Sequence, residues 1–120
     1  ADWTTIRRLV DNWHKIARYF FGDYYPLTPY SLERTVWMAW QFDCPGEGEG
    51  MVQAFRRNES IYEVARLHLH GLEPAACYEL TDLDKPRSTE MTGRELTEKG
   101  LLVSIPQRPG SVVITYKRTN

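Results

Sequence analysis

The sequence predicts a mainly β protein, an antiparallel β-sandwich preceded by one long amphipathic N-terminal helix. Apolar residues keep a three-and-four spacing only between Trp3 and Phe20, which is the signature of one helical face. From Val36 onward the chain breaks into short runs of β-branched, aromatic and alternating residues, with Pro, Gly, Asn and Asp clusters between them. Those runs recur at the roughly 8–12-residue interval that marks all-β sandwiches. Three segments follow: a helix over 1–22, a connector rich in Pro and Tyr over 23–34, and an antiparallel β-domain over 35–120.

Composition narrows the classes. The chain has 120 residues, 42% apolar and 12% aromatic, enough for one ordinary core and unlike a disordered segment. Its 15 basic and 16 acidic residues leave a formal charge of −1, so there is no electrostatic footprint for nucleic acid. No apolar run approaches the roughly 20 residues that a membrane-spanning helix needs, so no membrane partner is expected. No signal peptide is visible. The chain starts at Ala1 rather than Met and runs straight into helical periodicity, so a trimmed piece of a longer polypeptide is expected.

In chain order, Trp3, Ile6, Leu9, Val10, Trp13, Ile16, Ala17 and Phe20 make a wide apolar helix face, with Arg7, Arg8, Asp11, Asn12, Lys15 and Arg18 opposite. Asp2 suits the N-cap and Gly22 the stop. Two Trp on one face call for a substantial partner, either the chain's own β-domain or another body. Residues before Pro26 and Pro29 are driven out of the helical region, which makes 23–34 extended. Thr35 to Asp43 is strand-like with apolar residues on both parities, as in a central strand covered on both faces. After the Gly-Glu loop Gly46–Gly50, Met51 to Arg57 is its hairpin partner. Tyr62 to His70 and Cys77 to Leu83 supply two further strands, Ser88 to Met91 a short one, and Arg94 to Lys99 a brief helical or extended step. Leu101 to Ile105 and Ser111 to Lys117 are expected to close the domain as a strand pair across Pro106 to Gly110.

Candidate chemistry is sparse. Glycosidases need two carboxyl groups held in a shaped cleft. Glu47 and Glu49 sit at a Gly-rich loop tip and read as solvated turn charge, and Asp82 with Asp84 suits a turn equally well. His68 and His70 share a strand face at metal-compatible spacing but lack a third ligand, so no metal is expected. Cys44 and Cys77 have no CxxC spacing and read as partly buried free thiols, with a disulfide between them as the alternative that spacing does not decide. No nucleophile elbow or phosphate-cradling loop is present, so no catalytic residue and no cofactor is assigned. The remaining candidates are the aromatic residues Tyr24, Tyr25 and Trp37, whose rings could stack on sugar.

Several segments in order, YYPLTPYS, WMAWQFD, GEGMVQAFRR, HGLEPAACYEL, STEMTGRELTEKGLLVSI and VVITYKR, resemble the C-terminal end of bacterial α-galactosidases, the melibiase-type glycoside hydrolases of family 36. In that family a catalytic β/α barrel precedes an antiparallel β-domain. The resemblance implies that residues 2–21 correspond to the last barrel helix and 35–117 to the β-domain. It also implies that the two catalytic aspartates lie upstream, since none of their motifs occurs here. The implied role is a non-catalytic accessory β-domain that braces the barrel and is inactive alone. Its partners would be that barrel, possible carbohydrate, and a second copy through the helix face. The alternative is an independent carbohydrate-binding module built on Tyr24, Tyr25 and Trp37.

Overall fold

The alternating runs fold into two antiparallel sheets packed face to face, in a computed structural model that describes residues 3–28, 36–83, 85 and 87–119. The helix α1 (Trp3–Ile16) tightens into a 3-10 turn at Ala17–Phe21. Eight strands follow: β1 (Asp23–Pro26), β2 (Met38–Cys44), β3 (Glu49–Arg56), β4 (Val64–Leu67), β5 (Cys77–Asp82), β6 (Ser88–Thr92), β7 (Leu101–Ser104) and β8 (Gly110–Arg118). Six of them form a sheet in the order β1-β2-β3-β8-β5-β6, and β4 pairs with β7 in a second sheet.

Strand alternation gives the large sheet two unlike faces. Its inner face carries Ala39, Val52, Ala54, Ile114, Tyr116 and Leu80, which meet Leu67, Leu101 and Val103 of the small sheet in the main core. The outer face carries Phe42, Cys44, Met51 and Val113, and Tyr19 of the 3-10 turn packs there. Burial on both faces explains why β2 and β3 are apolar at both parities, with Met51 and Val52 both fully buried.

Several expectations are adjusted. The α-helix ends at Ile16 rather than running to position 22, because the chain must turn onto the sheet. The Gly22 amide donates to the Tyr19 carbonyl at 2.9 Å. Any Cβ at Gly22 would stand 2.5 Å from the Asp43 carbonyl oxygen. Asp23–Pro26, expected in a connector, joins the large sheet as its edge strand against β2. The rest of that connector, 29–34, lies outside the described residues, as do Asp2 and Thr35. The expected pairing of the last two strands is wrong: β7 pairs with β4, and β8 lies between β3 and β5. Their apolar faces meet across the core from opposite sheets, a relation that sequence adjacency does not reveal. The step over 94–99 is a single π-helical turn at Glu95–Lys99. Glu95, its first residue, accepts from the Thr92 amide and hydroxyl at 3.0 and 3.2 Å, bonds that hold its carboxyl below the ordinary range.

The loops are tied down as well. The buried Arg56 guanidinium donates to the carbonyls of Ser60, Ile105 and Pro106 at 2.8–3.3 Å, binding the turn after β3 to the segment after β7. The two borders of the large sheet differ. The Leu27 amide donates to Ala39 at 3.0 Å. Alternation therefore turns the nitrogen of position 26 to the free side, where Pro has no hydrogen to offer. At the other border, β6 exposes Ser88, Thr89 and Glu90.

Gly50 is the tightest point of the inner face. A Cβ there would stand 2.4 Å from both the Phe42 carbonyl oxygen and the Tyr116 hydroxyl. Gly50→Ala should therefore lower stability by about 1–3 kcal/mol or more, as overpacking of a core does. A urea midpoint unchanged from the wild type would contradict this packing.

Candidate functional site

Among the described residues, an exposed apolar surface begins on α1. Its apolar positions Trp3, Ile6, Val10 and Trp13 recur at helical spacing, yet Trp3 is 71% and Trp13 53% exposed. Among the described residues α1 packs mainly against the 3-10 turn that follows it. A soluble domain rarely leaves such a stripe bare without use. The stripe continues onto the outer face of the large sheet as a run of rings. Trp13 lies 5.4 Å from Phe20, Phe20 lies 5.0 Å from Phe42, and Phe42 lies 5.4 Å from Tyr24. Beside this run, Arg18 forms an ion pair with Glu49 at 3.0 Å, its guanidinium 4.9 Å from the Tyr19 ring centroid.

The three aromatic residues singled out for sugar do not form one platform. Tyr24 is 57% exposed and sits on the outer face of β1. Tyr25 turns to the inner face, where its ring stacks on His70 at 5.0 Å with planes 16° apart. Trp37 is only 7% exposed, and its indole donates to the Tyr62 carbonyl at 2.8 Å. Adjacent strand residues face opposite ways, and a core Trp offers no open ring face. The sequence pattern missed Trp13 and Phe20 as partners of Tyr24, although the helical stripe contained both.

Other candidates also settle into structural roles. Glu49, expected as solvated turn charge, is the buried first residue of β3 and pairs with Arg18. Glu47 remains in the exposed turn. Strand β4 ends at Leu67, so His68 and His70 lie beyond it rather than on a strand. The His68 Nδ1 is 2.9 Å from the Thr97 carbonyl. Among the described residues no three His, Cys, Asp or Glu side chains converge on a metal position. Cys44 and Cys77 are partly buried thiols not joined in a disulfide. They sit on β2 and β5 with two strands between them, far beyond disulfide reach. Asp82 lies 3.9 Å from Lys85, and Asp84 is outside the described residues.

One polar network has a buried centre at Gln41, Asp43 and Tyr116, and the sequence offered no signal for it. The Tyr116 hydroxyl donates to Asp43 Oδ1 at 2.5 Å and accepts from Gln41 Nε2 at 2.8 Å. Gln41 also donates to the His70 carbonyl and accepts from the His70 amide, each at 2.8 Å. Asp43 is 2% exposed. Burial raises its carboxyl above the ordinary value, against the lowering effect of the Tyr116 hydrogen bond, and nearby Asp23 raises it further. Burial, then the bond to Asp43, drives Tyr116 upward too.

A carboxyl raised in the folded state takes its proton more readily there than in the unfolded chain. Its contribution to stability is therefore complete below the unfolded value and is lost as pH rises through the folded one. Urea midpoints should fall from about pH 4 toward neutrality. Asp43→Asn, whose Oδ1 still accepts from Tyr116, should flatten that fall; an undiminished slope in the variant would contradict the assignment. Tyr116→Phe strands Asp43 and Gln41 and should cost about 1–3 kcal/mol in the same measurement.

No family model matches the sequence, and no curated protein does. Solved structures do. The galactosidase domain of the α-galactosidase–sucrose kinase AgaSK superposes with TM-score 0.76 at 19% identity, over 96% of this chain and 16% of that one. The α-galactosidase of Lactobacillus brevis matches with TM-score 0.75 at 17% identity, over 98% of this chain and 16% of that one. The family-36 α-galactosidase AgaB of Geobacillus stearothermophilus matches with TM-score 0.72 at 27% identity, over 97% and 16% respectively. From end to end, this chain shares the fold of one region of the family-36 α-galactosidases and spans 16% of the length of each.

Proposed function

We propose that this chain is the C-terminal accessory β-domain of a family-36-type α-galactosidase, non-catalytic in itself and bracing a catalytic barrel. The fold likeness carries this reading: it takes in nearly the whole chain but only 16% of each enzyme, which leaves ample length for a barrel elsewhere. The bare stripe on α1 supports the docking. A face with two exposed Trp is what a helix presents when the body it packs on lies outside its own domain.

On this reading, residues 1–22 are the last helix of the barrel, which would lengthen toward its full amphipathic span there. Residues 23–34 are the connector and 35–120 the bracing domain. The aromatic run from Trp13 to Tyr24 extends the docking face onto the sheet. Hydrolysis of α-galactosides would then rest on carboxylates of the barrel, with this chain supplying rigidity and burying the barrel's apolar flank.

Three measurements test the reading. The coding sequence upstream of Ala1 should contain a barrel, and an unrelated or absent upstream frame sinks the proposal. The isolated chain should leave a chromogenic α-galactoside intact and give no heat with galactose at about millimolar concentration, the weak end of ordinary affinities. The bare stripe should also make the isolated chain self-associate in sedimentation velocity. Because aromatic anchors dominate such contacts, Trp3→Ser with Trp13→Ser should weaken that association about tenfold or more. A wild-type chain that stays monomeric, with its Trp emission already that of buried rings, would remove the argument from α1.

A further inference from the structure

The joint between α1 and the large sheet contains two carboxylates where strand pairing would favour none. In the β1–β2 register Asp23 stands directly opposite Asp43. Residues directly opposite in an antiparallel pair share one face, and like charges there oppose the pairing. Asp43 is nearly sealed from water, while Asp23 is exposed. Strand β1 has only four residues and is paired on one side. It is therefore the part of the sheet least able to absorb repulsion.

We propose that the Asp23–Asp43 pair makes β1 a proton-operated latch. With one proton on the pair the edge strand is held on β2; with both carboxylates charged it is loosened. The groups facing Asp43 let it respond in this way. From β1 come Asp23 and, two residues on, Tyr25. From β3 come Gly50 and Val52, which do not titrate. From β8 comes Tyr116, whose hydroxyl donates to the carboxylate, with Arg118 two residues further along running beside Gly48. From the segment after β4 come His70, stacked on Tyr25, and Gly71, where a Cβ would stand 2.8 Å from Asp43 Oδ2. The Asp43 side chain is held by the Tyr116 hydroxyl. Burial and the charge of Asp23 both favour its protonated form.

The latch bears on docking because Tyr24 belongs to β1 and ends the aromatic run over Phe42. Loosening β1 detaches that end of the face and relaxes the hold on the turn leading to α1. This consequence for docking rests on the barrel reading. The latch itself rests only on residues within this chain, so one can fail while the other stands.

Amide exchange on the isolated chain tests it. The Leu27 amide, which donates to Ala39 at 3.0 Å, reports β1, and the Val52 and Ile114 amides of the central strands serve as the reference. After correction for intrinsic exchange, Leu27 protection should fall about two- to fivefold between about pH 4 and pH 7, the size of one cross-strand charge pair. It should fall more than that of the reference amides. Asp23→Asn, at an exposed site that leaves the core intact, should abolish the excess fall at Leu27 while the reference amides keep theirs. A Leu27 protection that tracks the central strands at every pH overturns the latch, as does an Asp23→Asn chain with an undiminished excess.

Discussion

The hydrogen bond from the Tyr116 hydroxyl to Asp43 is the constraint on which the rest of this fold depends. It spans from β8 to β2 across β3, and it fits only because Gly50 leaves room beneath it. A bond to a charged acceptor contributes about 1.5–3 kcal/mol, while burying the carboxylate costs several. The network is therefore a modest stabiliser at best. Its stronger effect is on register. A one-residue slip of β8 or β2 would turn the hydroxyl or the carboxylate to the other face and leave a buried charge alone. Through Gln41 the same network fixes the segment around His70, which in turn seats Tyr25 and the edge strand.

The two faces of the large sheet divide the work. The inner face closes a conventional core against the small sheet and needs no other body. The outer face is only partly covered by the 3-10 turn, and from there the apolar surface runs out along α1 into solvent. The α-galactosidases whose fold this chain shares in one region are much longer chains.

Much of this was legible in the residues. Periodicity separated α1 from the strands. The double parity of Val36–Phe42 marked β2 as a strand covered on both sides, and turn chemistry placed the Gly46–Gly50 loop between β2 and β3. What escaped is non-local. Nothing in the pattern of Leu101–Ile105 and Ser111–Lys117 tells whether two neighbouring strands pair or face each other from separate sheets. Glu49 looked like loop charge because its partner, Arg18, is far off in sequence. Trp37 resembled a surface ring beside Tyr24 and Tyr25, but an indole donor that finds a distant carbonyl is at home in a core. The buried Asp43–Tyr116–Gln41 network joins residues more than 70 positions apart, which no local motif can announce.

The borders of the six-stranded sheet carry a consequence for how one copy of this chain meets another. One border ends on Pro26, with no hydrogen to donate on its free side, and the other displays the short polar strand Ser88–Thr92. Each border is short, and Pro26 on one side or a polar surface on the other blunts it as a template for a further strand. Extension of that sheet by an added strand is thus discouraged, even while the aromatic surface remains adhesive. Clumping of this protein at that surface would be a matter of rings meeting rings, reversible by detergent.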